Sequence, residues 1–186
     1  MPLSPPAARE HLHTRAITMR GYIRDDGLWD IEGHLTDHKS YGFDTVHRGR
    51  VEPDTPVHEM WVRLTVDDDL VIQACEASTD NHPFPVCPDV TPEFAKLAGI
   101  RIGVGWMRAV RQHVGGRKGC THIVEMLAQM GTVAYQTHVA KSRLKGESKA
   151  DPDKPKRKPL VIDTCHAMSS DGPLIKERFP EYYTGE

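Results

Sequence analysis

The chain has 186 residues, 38% of them hydrophobic and 27% charged, which suits one folded domain and excludes a disordered segment. No apolar run approaches the roughly 20 residues needed to cross a bilayer, and a net charge of −2 argues against a whole-surface nucleic-acid binder. Residues 1–15 lack the apolar segment of a secretory signal, and Cys75, Cys87, Cys120 and Cys165 form no CxxC pair. A cytoplasmic protein with reduced thiols is therefore expected.

Residues 1–13 read as a loose lead-in rich in proline and alanine, followed by a single α+β domain over 14–186. Ala16, Thr18, Arg20 and Tyr22 alternate with Ile17, Met19, Gly21 and Ile23, the period of an extended strand. Asp25, Asp26 and Gly27 then supply a hairpin turn. The returning strand carries Trp29, Ile31 and Leu35 on one face. Asp30, Glu32, His34 and Thr36 lie on the other. After a loop marked by Gly42, Gly49, Pro53 and Pro56, a second hairpin runs from His58 to Thr79 around Asp67–Asp69.

Helical spacing takes over next. Thr91 and Pro92 predict a helix start, and a short helix ending at Gly99 follows. Trp106, Val110 and Val114 form one stripe that closes on two glycines. Ile123, Met126, Leu127, Met130 and Ala134 predict a long core helix from about Thr121 to about Leu144. A basic, proline-containing stretch at about 145–158 reads as a solvated loop, with an acidic partner or a phosphate group as the other reading. Pro159–Met168 reads as a C-terminal strand, and the tail beyond it as a helical turn anchored by Phe179 and Tyr182. The fold class is α+β: two N-terminal antiparallel β-hairpins, then packed helices, then a C-terminal strand or tail.

Three clusters could carry chemistry. Cys120 and His122 stand where a loop becomes the long helix, beside Arg117 and Lys118. A helix N-terminus favours anions and stabilises a nearby thiolate. The plainer alternative is a small packing residue and a polar capping residue. Asp163, Cys165 and His166 form a second Cys/His group after an apolar run. Cys120, His122, Cys165 and His166 together are candidate ligands for a divalent metal such as zinc, although the usual C-x2–4-C knuckle is missing. In the third cluster Asp30, Glu32 and His34 share a strand face, with Asp37, His38 and Tyr41 close behind, and His58 and Glu59 could join the same edge. Asp30, Glu32, Asp37 and Tyr41 are the candidate substrate-binding residues. The alternative is an ordinary solvent face. Gly99, Gly103 and Gly105 fit neither the P-loop nor the dinucleotide spacing, so no nucleotide cofactor is expected.

The segments "DDGLWDIEGHLTD", "HEMWVRLTVDDDLVI", "GCTHIVEML" and "IDTCHAM" together resemble the bacterial family catalogued as domain of unknown function 2889, across nearly the whole chain. The resemblance implies a small cytoplasmic bacterial protein linked to aromatic or acyl-CoA catabolism. "GCTH" alone is also similar to a motif of glutamate and aspartate racemases. Their second cysteine motif is missing here, and 186 residues are too few for their two α/β halves.

Two expectations follow from different classes. One is a small enzyme in which Cys120, His122, Asp163, Cys165 and His166 converge for acid/base chemistry of the lyase, isomerase or hydrolase kind on a small organic substrate. The other is a non-catalytic binding or accessory domain with buried cysteines or a structural metal.

Overall fold

The computed structural model describes residues 3–144, 158–159 and 161–186, with side chains in the first stretch up to residue 140. The chain divides into two compact units, Met1–Leu144 and Lys145–Glu186. The expected basic loop at 145–158 lies outside the described residues except for Lys158.

The first unit is built on a four-stranded antiparallel sheet in the order β1 (His13–Ile23), β2 (Trp29–Lys39), β5 (Pro56–Val66), β6 (Ile72–Asn81). The two expected hairpins are therefore neighbours in one sheet. Gly27 makes the first turn at φ 87, a conformation that favours glycine. The connection between the hairpins carries an extra small ribbon, β3 (Phe43–Thr45) with β4 (Gly49–Val51), where a plain loop was expected. Three residues a side gave the sequence too short a period to read.

One sheet face is covered. Trp29, Ile31, Leu35, Met60, Val62, Leu64 and Val66 are all buried on it, as the period-two alternation requires. Helix α2 (Thr121–Leu144) lays Ile123, Met126, Leu127, Met130 and Ala134 against that layer. Full burial of each isoleucine, leucine or methionine side chain here is worth about 1.5–3 kcal/mol. Two glycines let α2 come close: a Cβ on Gly21 would stand 1.9 Å from Thr137 Oγ1, and one on Gly33 would meet Met19, Val62 and Met126. Helix α1 (Trp106–Val114) packs beside α2 through the predicted stripe of Trp106, Val110 and Val114. The Trp106 indole donates to the Leu127 carbonyl at 3.0 Å. That indole lies over Gly131, which explains a glycine inside the long helix.

Two local expectations change. The helix predicted to start at Thr91 is a 3-10 segment, Cys87–Leu97, that runs through Pro92. Pro92 has no N–H, so it donates no bond inside that segment. Thr91 does not cap it; its hydroxyl donates to the Pro88 carbonyl. In the second unit, the described residues of Pro159–Met168 form no strand. Residues 161–164 are turns and His166–Met168 is a 3-10 turn. Asp163 at φ 65 breaks any extended run. The tail forms α3 (Pro173–Arg178) and a further 3-10 turn, Pro180–Tyr182. Its fully buried residue is Ile175, while Phe179 and Tyr182 are half-buried.

Candidate active site

At one end of the covered face the apolar stripe of each strand stops at a polar residue. Antiparallel register sets Arg15 of β1 opposite Asp37 of β2, and Asp37 opposite His58 of β5. The parity of each strand is decisive. Arg15 continues the face of Ile17 and Met19, Asp37 that of Ile31 and Leu35, and His58 that of Met60 and Val62. The N-terminus of α2 then brings Cys120, His122 and Glu125 to the same place.

Asp37 is the centre, only 1% exposed. Arg15 grips it with two parallel bonds, Nε to Oδ1 and Nη2 to Oδ2, both 2.8 Å. His58 donates Nδ1–H to Oδ2 at 3.0 Å, and His13 Nε2 lies 3.2 Å from Oδ1. His122 Nε2 stands 3.8 Å from Oδ2. Glu125 steadies the outer side of Arg15 at 2.8 Å. The His58 and His122 rings face each other with centroids 4.1 Å apart. Beyond His122, its Nδ1 lies 3.7 Å from Cys120 Sγ, and that sulfur touches Met60 Sδ at 4.0 Å.

The electrostatics follow from this packing. Burial pushes the Asp37 carboxyl up, but the Arg15 hydrogen bonds and charge outweigh it and hold the group below its ordinary range. Both imidazoles move down. Burial is the main cause for His58, followed by the neighbouring His122. Burial is also first for His122, followed by the Arg15 charge. The result is an ionised carboxylate beside two neutral imidazoles at neutral pH. A neutral His122 that turns Nε2–H toward Asp37 leaves the Nδ1 lone pair facing the Cys120 thiol.

The residues singled out from sequence are divided by this arrangement. Cys120 and His122 belong to the cluster. Asp37 belongs to it too, but on the covered face, opposite to Asp30 and Glu32. Asp30 accepts from the Thr65 hydroxyl at 2.7 Å, Glu32 pairs with Arg63 at 2.8 Å, and Tyr41 is 46% exposed. His34, on the same open face, stacks on Trp61 with centroids 3.6 Å apart. A cavity of about 570 Å³ opens on that side, lined by Glu32, Trp61, Arg63, Ser78, Thr91 and Pro92 among others. His38 donates Nδ1–H to the Asp54 carbonyl at 2.8 Å. Lys118 donates to the Gln112 carbonyl.

Asp163, Cys165 and His166 lie in the second unit and are exposed. The Asp163 carboxylate is engaged locally, by Lys158 at 2.8 Å and the Ser170 N–H at 2.8 Å, which hold it down at about 2. Arg15, not a candidate from sequence, and His58, offered only as a neighbour of Asp30, Glu32 and His34, carry the centre. Their signal was available: a charge or imidazole at a position that strict alternation assigns to the core.

A zinc-like ion can be tested against the donors present. Asp37, His58 and His122 offer ligand atoms within 4.8 Å of one another. Asp37 Oδ2, however, already accepts from Arg15 and His58, and Oδ1 from Arg15 beside His13. An ion would have to displace one of these donors.

The model of the family described as "Protein of unknown function (DUF2889)" matches residues 13–136, which include every residue of this cluster. The chain belongs to that family. No curated protein and no solved structure matched it.

Proposed function

We propose that this DUF2889-family chain is an acid/base enzyme acting on a small organic substrate at the Asp37 cluster. The observation that carries the reading is the buried Asp37 carboxylate, clamped by Arg15, with His58 and His122 side by side against it. An imidazole kept neutral near pH 7 can accept a proton, and the carboxylate beside it stabilises the imidazolium that forms. His122 is the general acid/base. His58 shares the carboxylate and is the second proton carrier. Asp37 and Arg15 are positioning residues: they fix the rings and keep the carboxylate charged. The reaction class is lyase-, isomerase- or hydrolase-like, since these need proton transfer and no nucleotide motif is present.

Support is chemical as well as geometric. Buried ionisable groups whose pKa values are pushed by specific neighbours concentrate at functional sites. His58 and His122 keep side-chain exposures of 19% and 23%, so a substrate can reach them. Among the described residues no helix is long and apolar enough to cross a membrane.

The test is a substrate screen on the full chain, starting with aromatic acids and acyl-CoA thioesters. Turnover should vanish in His122→Ala and fall in Asp37→Asn. Turnover that persists unchanged in both variants would overturn the reading.

A second reading rests on the donor set Asp37, His58 and His122: a divalent ion with two imidazoles and one carboxylate. Cobalt(II) titration followed by visible absorption separates the two. Stoichiometric binding lost in His58→Ala favours the metal. No binding by an active protein favours proton chemistry by the side chains alone.

A further inference from the structure

We propose that Cys120 is a nucleophile activated by His122, and that the substrate is an activated acyl compound, an ester or thioester, whose acyl group passes through a thioester on Cys120. This rests on the acid/base reading of the same site and names the reaction it would perform.

Three groups stand in fixed order. The Cys120 sulfur lies 3.7 Å from His122 Nδ1, and the opposite ring nitrogen lies 3.8 Å from Asp37 Oδ2. A thiol, an imidazole base and a carboxylate that orients the base form the general arrangement of an activated nucleophile. Such contacts are often loose and tighten as substrate binds. Each position is held by the fold. Cys120 carries the carbonyl that accepts the first bond of α2, from Val124 N–H at 2.9 Å. Gly119 before it is locked by close packing, since a Cβ there would stand 2.0 Å from the Val114 carbonyl oxygen. Asp37 is clamped by Arg15 and His58. The thiol at Cys75 offers a contrast: it is buried in the core, and burial pushes it up to about 12.

The steps balance. The Cys120 thiol proton moves to His122 Nδ1 while the sulfur bonds to the acyl carbon. The bond from that carbon to the leaving oxygen or sulfur then breaks, and the leaving group takes the proton from His122. Water next gives a proton to His122 as its oxygen attacks the thioester. The carbon–sulfur bond breaks, and Cys120 takes the proton back. Ester or thioester plus water becomes carboxylic acid plus alcohol or thiol, with no oxidant or reductant.

The probe is p-nitrophenyl acetate on the full chain, with acid quenching and peptide mass mapping. The expected result is a burst of p-nitrophenolate and acetylation of Cys120, roughly 100-fold faster than at the exposed Cys165, as expected for a positioned general base. His122→Asn should lower Cys120 acetylation roughly 100-fold and leave Cys165 unchanged, with the circular dichroism spectrum retained. Acetylation of Cys120 no faster than Cys165, or untouched by His122→Asn, would overturn the proposal. A substrate still turned over by Cys120→Ala but not by His122→Asn would overturn the nucleophile and leave the acid/base reading standing. Turnover lost in neither would overturn both.

Discussion

The two faces of the sheet carry similar side chains with opposite consequences. On the open face, Glu32 meets Arg63, and Arg63 also reaches Glu76, with Arg63 46% and Glu76 75% exposed. On the covered face, Asp37 meets Arg15 with its side chain 2% exposed. Water screens the first pair, and exposed pairs of this kind contribute about 0–1 kcal/mol. The second pair sits under α2, where an uncompensated charge is costly. Residue type therefore says little about chemistry; the face on which a strand presents it says much more.

This contrast can be broken or sharpened in order of size. Arg15→Ala should be the most damaging change, because it strands the Asp37 charge; a loss of about 3 kcal/mol is expected by urea unfolding. Arg15→Ala together with Asp37→Asn should recover part of it. A loss under 1 kcal/mol would mean that water reaches Asp37 freely. Gly21→Ala tests the covering helix itself. The new methyl would strike Thr137, and a loss of about 1–3 kcal/mol is expected, relieved in Gly21→Ala/Thr137→Ala.

Acid should weaken the covered face specifically. His58 and His122 titrate below their ordinary 6.5 in the folded chain, so the unfolded chain takes up protons first as pH falls. Their contribution is fully present above about 6.5 and is lost as pH drops through the lowered values. The depressed Asp37 acts in the same direction at lower pH: its contribution is present above 3.8 and is lost through its own folded value. Thermal unfolding should show lower stability at about pH 5.5 than at about pH 7.5. The loss should shrink in His58→Asn or His122→Asn; an unchanged pH dependence would mean that burial of these rings does not cause it. The smallest effect is expected on the open face, where Glu32→Gln should change stability by less than about 1 kcal/mol.

The sheet and the long helix were legible because their periods are long: eleven residues of alternation in β2 and a stripe from Ile123 to Ala134 in α2. Cys120 and His122 were legible as a pair because they are close in sequence. Asp37 was grouped with Asp30 and Glu32 by proximity along the chain, although its odd position puts it on the face of Ile31 and Leu35. Arg15 and His58 reach it only through strand register, which depends on pairing over 21 or 22 residues of sequence separation. Pro159–Met168 looked like a strand from its apolar start, but it has no ladder partner among the described residues, and turns satisfy its backbone instead.

The proposed function places chemistry at the covered end of the sheet and not at its open face. It is tested most directly by comparing kcat/KM for two matched imidazole replacements on one substrate, His122→Asn and His34→Asn. A fall of roughly 100-fold or more is expected for His122→Asn, and a change of no more than a few-fold for His34→Asn. A protein crippled by His34→Asn and untouched by His122→Asn would contradict it.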